Sequence, residues 1–211
     1  MKRVVLIRSN PVRPYPRLEK TANALLKAGY QIHVLAWDRD SNYEPKEEVL
    51  SLVNGNVPIT RVGIKGEFSG GFKKNFKSLL LFQRFIYCWL NKNKKEYDVI
   101  HAYDFDTGFI SSFCAKKNGK KLVYDIPDYY VDSHGLKGSM IGKVVQNLEN
   151  RVINKADAVI ICTEKRKEQI KGTTPKKLVM LHNTPYDQQL DDNLISNYQF
   201  EKNRLKLVYI G

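Results

Sequence analysis

The first thirty-seven residues constrain the fold more than any later stretch. Val4-Val5-Leu6-Ile7 is a short β-branched run, followed by a loop from Arg8 to Pro16 with prolines at positions 11, 14 and 16. Three prolines so close together suit neither a helix interior nor a central strand. Leu18, Ala22, Leu25 and Leu26 then recur at helical spacing, Gly29 supplies a stop, and Ile32–Trp37 is a second apolar run. Strand, helix and strand in under forty residues make one βαβ unit, whose crossover is right-handed in nearly every known case.

The same alternation continues. Strands are predicted near Ile59–Ile64, Val99–Tyr103, Leu122–Asp125, Ala158–Cys162 and Leu178–Leu181. Helices are predicted over Phe72–Asn91, 105–118, 139–155 and 164–171, and a short one over Lys46–Leu52 within the polar stretch 38–57. This is the pattern of an α/β protein, a Rossmann-like parallel sheet flanked by helices. Residues 1–182 read as that domain and the polar residues 183–204 as a linker. Leu205–Ile210 reads as the first strand of a further, truncated C-terminal domain.

Several function classes are excluded or weakened. There is no Gly-x-x-x-x-Gly-Lys-Ser/Thr loop and no Gly-x-Gly-x-x-Gly after the first strand, which argues against P-loop NTPases and standard dinucleotide enzymes. A Gly-x-Ser-x-Gly elbow and a His-Glu-x-x-His pair are also missing. The three cysteines are widely spaced, so neither a disulfide framework nor a zinc site is expected. No apolar run reaches the ~18–20 residues of a membrane span. The N-terminal apolar run is too short for a signal peptide, so the cytoplasm is the expected compartment. The formal charge of +13 invites an anionic partner. It is spread evenly, with 18 basic and 9 acidic residues in positions 1–100 and 17 and 13 in the remainder.

Open parallel sheets bind ligands beyond the carboxyl ends of their strands. Arg8, Asn10, Arg13 and Arg17 follow the first strand. His101 and Asp104 close the Val99–Tyr103 strand. Asp125, Asp128, Asp132 and His134 follow the next, and His182 and Asn183 follow Leu178–Leu181. Each has a plainer reading: Asp104 or Asp106 as a helix cap, Asp125 and Asp128 as loop-capping groups, His101 as a buried core histidine. Imidazole and carboxylates on neighbouring strand ends are a better signal than any one of them, but they do not select a reaction.

The predicted helix Phe72–Asn91 carries Phe72, Phe76, Leu79, Leu80, Ile86, Tyr87 and Leu90 on one face. Lys73, Lys74, Lys77 and Arg84 form a basic stripe on another. Phe82, Phe85 and Trp89 fall outside both and widen the apolar arc. Two readings stand: a surface resting on an anionic membrane, or a helix buried against the sheet with its lysines in water.

Seven segments carry a resemblance. Arg13-Pro14-Tyr15-Pro16-Arg17-Leu18-Glu19-Lys20 resembles a post-strand D-P-R-V-x-K-E-A segment, and Ala28–Leu35 resembles A-G-H-E-V-x-V-L. Tyr97–Asp104 resembles Y-D-V-I-H-A-H-D, and Lys121–Asp125 resembles the start of K-L-V-Y-D-x-H-E. Ala156–Ile160 with Cys162-Thr163-Glu164 resembles A-D-x-V-I-x-V-S-E. Leu181–Pro185 matches an Asn-containing segment, and Leu205–Gly211 looks like the first strand of a second domain. In this order they resemble the N-terminal, acceptor-side domain of a family 4-type GT-B glycosyltransferase, a fold of two Rossmann-like domains. Two departures stand out. A proline-rich loop replaces the Gly-Gly turn of many relatives, and Asp128 follows a proline where relatives often have His-Glu.

The resemblance implies transfer of a sugar from a nucleotide-sugar to a membrane-linked glycan or polysaccharide precursor. His101 and Asp104 would be the catalytic-side residues. Arg13, Arg17, Asp125, Asp128, His134 and Asn183 would bind acceptor. Lys73, Lys74, Lys77, Phe82, Arg84, Phe85 and Trp89 would face the membrane. No cofactor or metal is expected, and the nucleotide-sugar substrate would sit mainly on a C-terminal domain or partner subunit. The implied location is cytoplasmic, peripheral at the inner face of the cell membrane. Rival readings are a non-catalytic acceptor-binding or partner subunit, a nucleic-acid-binding basic α/β protein, and a sugar-nucleotide epimerase of similar architecture. Nucleic acid is the weaker partner because the cations are scattered.

Overall fold

The computed structural model describes residues 2–67 and 71–184. Eight strands form one sheet in the order β3-β4-β2-β1-β5-β6-β7-β8. β1 is Arg3–Arg8, β2 Gln31–Asp38, β3 Tyr43–Leu52 and β4 Gly55–Gly63; β5 is Val99–Tyr103, β6 Lys121–Ile126, β7 Ala158–Ile161 and β8 Leu178–Met180. All neighbours pair in parallel except β3 with β4. The expected Rossmann-like class is therefore the observed one. The first strand in sequence lies in the middle of the sheet, which explains why Val4–Ile7 is apolar on both faces: all four residues are buried.

Helix α1 (Pro16–Lys27) covers one face over β1, β2 and β4, burying Leu18 and Ala22 against Leu6, Val34, Ala36 and Ile59. It begins with Pro16, whose missing N–H is no loss at a helix start. The Glu19 carboxylate accepts from the Tyr15 N–H at 2.8 Å. The opposite face is covered by α2 (Gly71–Lys92), α3 (Asp104–Asn118) and α5 (Met140–Lys155), with the one-turn α4 (Tyr130–Ser133) between the last two. Trp37 and Phe82 stack at 5.1 Å at the heart of this layer. α3 ends on Gly119 in the left-handed region (φ 65°), the conformation glycine adopts most cheaply. α5 starts on Ser139, whose Oγ accepts from the Gly142 N–H at 2.9 Å.

Three expectations need correction. Lys46–Leu52 is strand, not helix: it lies within β3, which pairs antiparallel with β4 in a hairpin. The two strands are joined at Val53-Asn54, and Gly55 follows with φ 136°. Asn54-Gly55 is a hairpin signal, and Asn23 of α1 anchors it by accepting from the Asn54 N–H at 2.8 Å. The strand expected at Ile59–Ile64 is only the second half of β4, which starts at Gly55 and ends at Gly63, one residue before Ile64. Residues 164–171 hold a short 3₁₀ turn, Glu164–Glu168, in place of an α-helix. Leu205–Ile210 and nearly all of the expected linker lie outside the described residues.

Candidate active-site cleft

From β1 the connections run outward in both directions: leftward to β2 and β4, rightward to β5, β6, β7 and β8. The crevice between the carboxyl ends of β1 and β5 is thus the topological switch point, where open α/β sheets place their ligands. Arg8 is the last residue of β1, and Asp104 directly follows β5. Their side chains form an ion pair across that crevice, both largely but not wholly buried. Asp104 has a φ of 60°, a left-handed conformation that aspartate tolerates better than most residues and that carries local strain. The Arg8 guanidinium lies 4.5 Å from the centroid of the Tyr15 ring. Among the described residues, Arg8 Nε and Asp104 Oδ1 have no hydrogen-bond partner.

Beneath this pair lies a closed polar cluster. Arg17 grips Asp125 with two hydrogen bonds, Nη2 to Oδ1 at 2.6 Å and Nε to Oδ2 at 3.1 Å. His101 Nε2 lies 3.4 Å from the same carboxylate, and its ring stacks on Tyr103 at 4.6 Å. Burial disfavours the Arg17 charge, but the hydrogen bond and charge of Asp125 outweigh it and raise its pKa. Arg17 is 5% exposed and Asp125 fully buried. Side chains so enclosed cannot grasp a sugar from solution, so the acceptor-binding assignment of Arg17 and Asp125 is corrected. They lock α1 to β6. His101, 5% exposed, is likewise buried beneath the rim.

Arg13 also has a different setting from the one expected. Its guanidinium donates to Asp38 Oδ2 at 3.2 Å and to Glu48 Oε1 at 3.2 Å, spanning β2 and β3. Glu48 also pairs with buried Arg61, whose Nε donates to the Pro11 carbonyl at 2.8 Å. This network holds the proline-rich loop, including Val12, a β-branched residue at φ 53°. Burial and a hydrogen bond to Asp38 push the Tyr43 hydroxyl up to about 12.

Asp128, His134 and Asn183 stay at the surface of the carboxyl-end rim. Asp128 accepts from Arg166 Nη2 at 2.9 Å. The His134 ring stacks on Tyr130 at 3.9 Å, with Nδ1 3.0 Å from the Tyr130 carbonyl. Asn183 Oδ1 lies 3.5 Å from Lys20 Nζ. Tyr15 packs its ring edge-on to Tyr103, centroids 6.2 Å apart, under the Arg8 guanidinium. Burial raises its pKa, and Arg8, Asp125, Arg17 and Asp128 all act on it electrostatically. The cleft residues absent from the sequence assignment are Arg8, Tyr15, Asp38, Glu48 and Arg61. Arg8 was legible as a strand-end cation; the others depended on pairings invisible before the fold. Among the described residues, no group of three His, Cys, Asp or Glu side chains could hold a metal ion.

Residues 15–184 match the glycosyl transferase 4-like domain family. The chain belongs to that family. Its fold is that of one GT-B half. Two structures of sucrose-phosphate synthase from Thermosynechococcus elongatus superpose with TM-scores of 0.62 and 0.64 at 13% and 14% identity. They cover 88% and 85% of this chain and 91% and 48% of theirs. A trehalose-6-phosphate structure from E. coli, bound with UDP-2-fluoro glucose, has a TM-score of 0.55 at 10% identity, covering 80% of this chain and 42% of that one. Anabaena Alr3699/HepE in complex with UDP gives 0.54 at 13%, covering 87% and 44%. Beside the longer sucrose-phosphate synthase structure and these two, this glycosyl transferase 4-like domain spans somewhat under half of the matched chain. No curated protein sequence matches it significantly.

The membrane assignment on α2 divides. Phe82 is fully buried against Trp37, and Phe85 packs on the same core. Trp89 lies between His33 at 4.7 Å and Tyr97 at 6.4 Å. The wide aromatic arc is thus spent inside the protein, and Phe82 is corrected from lipid-facing to core. Lys74, Lys77 and Arg84 are exposed; the Lys73 side chain lies outside the described set. No helix among the described residues is long and apolar enough to cross a membrane.

Proposed function

We propose that this domain is the acceptor-binding half of a glycosyltransferase moving a sugar from a nucleotide-sugar to a membrane-linked glycan or polysaccharide precursor. The Arg8–Asp104 pair at the switch point carries the reading. It sets a cation and a carboxylate, each with an unpartnered polar atom, where an open sheet presents ligands. A carboxylate there hydrogen-bonds sugar hydroxyls strongly, and a guanidinium suits a phosphate-linked acceptor. Asp128, His134 and Asn183 would extend the acceptor surface around the rim. UDP and UDP-2-fluoro glucose bound to similar folds support a nucleotide-sugar donor. The half-length match supports a second lobe, from a C-terminal domain or a partner subunit, that holds the donor.

The test pairs binding with turnover. Lipid-linked oligosaccharides extracted from bacterial membranes should bind the 211-residue chain saturably, and Asp104→Asn or Arg8→Gln should weaken binding about tenfold or more, the loss of one charge-assisted contact. With radiolabelled nucleotide-sugars the chain alone should show no transfer. Unchanged acceptor binding in both variants would overturn the site. Transfer by the chain alone would overturn the need for a second lobe.

A further inference from the structure

The family assignment leaves the amino edge of the sheet unused. There, between the ends of α1 and α2 and the first residues of β1, β2 and β4, lies a hollow of about 700 Å³, the size of a small-molecule site. It is at the opposite end of the strands from Arg8 and Asp104. Its wall breaks a pattern. On the α2 side of β2, Leu35 and Trp37 are buried and apolar, but the next position toward the amino end is His33. His33 Nε2 lies 2.8 Å from Oγ1 of buried Thr60 on β4, and its ring packs 4.7 Å from Trp89 near the end of α2. Directly across from Thr60 on β3 is Glu47. Glu47, Thr60, His33 and Trp89 thus form one polar and aromatic row where the covered face of such a sheet is ordinarily apolar.

Charge narrows the ligand. The chain carries +13, yet no lysine lines this hollow; its charged groups are Arg3, Glu47 and Glu96. Arg3 pairs with Glu96 at 3.1 Å, which leaves Glu47 with no ion pair among the described residues. Burial holds His33 below its ordinary 6.5, so the imidazole adds no charge at neutral pH. Phosphate and other anions are therefore disfavoured. The remaining polar groups are neutral: the Gln31 and Asn56 amides, the Tyr30 hydroxyl and His33 Nδ1, none with a hydrogen-bond partner among the described residues. They sit among the apolar side chains of Leu26, Ile32 and Pro58. A side-chain amide both donates and accepts, as a sugar hydroxyl does, and the C–H face of a sugar ring suits the Tyr30 and Trp89 rings. An organic cation would satisfy Glu47 and leave the amides without a partner.

We propose that this amino-edge hollow is a second carbohydrate site, one that takes an uncharged oligosaccharide. The site lies outside the cleft and does not depend on it. β1 runs from Arg3 at the hollow to Arg8 at the cleft, a span of about 17 Å at about 3.3 Å per residue. A glycan that reaches both places must be several rings long. The hollow is thus a grip on long chains, and short ones meet the cleft alone.

Trp89 is the reporter, because the chain's other tryptophan, Trp37, is 1% exposed. The 211-residue chain is titrated with cello-, malto- and galacto-oligosaccharides, and with oligogalacturonate as the anionic control, while tryptophan emission is followed. At least one neutral series should give a saturable change, and oligogalacturonate should bind at least tenfold more weakly. Glu47→Ala with Asn56→Ala, both exposed, should weaken binding about tenfold or more, the loss of one charge-assisted contact. Circular dichroism shows that the variant is folded. Amide shifts in NMR should fall on Gln31, His33 and Asn56, not on Arg8 and Asp104. No saturable change with any neutral series, equal or tighter binding of oligogalacturonate, or indifference to the double variant overturns the proposal. So do shifts confined to Arg8 and Asp104, which would place the sugar in the cleft, and displacement of the sugar by spermidine, which would make the hollow a cation site. The acceptor reading is tested with lipid-linked oligosaccharide and the Arg8 and Asp104 variants, so either reading can fail alone.

Discussion

Glu149 points inward from α5 and is wholly buried. Its Oε1 accepts from the Tyr124 hydroxyl at 2.7 Å, while Oε2 has no partner among the described residues. Burial raises its pKa from an ordinary 4.5 to about 7; the Tyr124 bond opposes the rise and the carboxylates of Asp106 and Asp132 add to it. The folded protein therefore holds a proton that the unfolded chain releases between those two values. That contribution is whole below pH 4.5, declines as pH rises, and is gone above pH 7. At 1.36 kcal/mol per pH unit the full span is about 3.4 kcal/mol, and about 2.5 kcal/mol of it falls between pH 5 and pH 8. Glu149→Gln keeps the shape and the acceptor oxygen for Tyr124 but cannot ionise. Urea unfolding of both proteins at pH 5, 6, 7 and 8 should show the variant gaining on the native protein by about 2.5 kcal/mol across that range. His33, which burial pulls below its ordinary 6.5, stabilises in the opposite sense, gaining as pH rises. It is present in both proteins and cancels in the difference. A constant offset between the two curves would refute the reasoning, because Glu149 would then ionise alike in the folded and unfolded states.

Two substitutions probe how the cleft is held. Asp125→Asn leaves the Arg17 cation buried without its counter-charge and should cost about 3–5 kcal/mol in a urea titration; Arg17→Met with Asp125→Leu should recover much of that, and equal losses from both would count against the pair. Gly108 lies where α3 crosses β6, and a Cβ there would stand 2.4 Å from the Tyr124 ring. Gly108→Ala should lower stability by about 1–3 kcal/mol, read as thermal midpoint, despite alanine's helix preference; a rise would show that the helix moves away freely.

The βαβ opening and most of the parallel sheet were legible because buried strands and amphipathic helices differ in period. β3 was misread because Tyr43–Leu52 carries no apolar stripe: it is an outer strand, held by backbone pairing to β4 and by Glu48 bonding Arg13 and Arg61. The strand-end polar residues were found, but their roles divided on depth. Asp125 lies within β6 and its side chain is taken by Arg17, whereas Asp104, one residue past β5, stays at the rim. Position along a strand is readable in a sequence; which partner arrives from α1, 108 residues away, is not. Phe82 failed for a related reason, since a wheel counts aromatic side chains without showing that Trp37 waits beneath one of them.

The central place of β1 bears on how the chain is made. One of its edges can pair early with β2, but the other waits for Val99–Tyr103, some ninety residues later. At ribosomal speeds of about 5–20 residues per second, that interval lasts roughly 5–20 s. For that time the nascent polypeptide offers an unsatisfied strand edge, apolar from Val4 to Ile7, to its neighbours, a natural client for the cell's folding helpers.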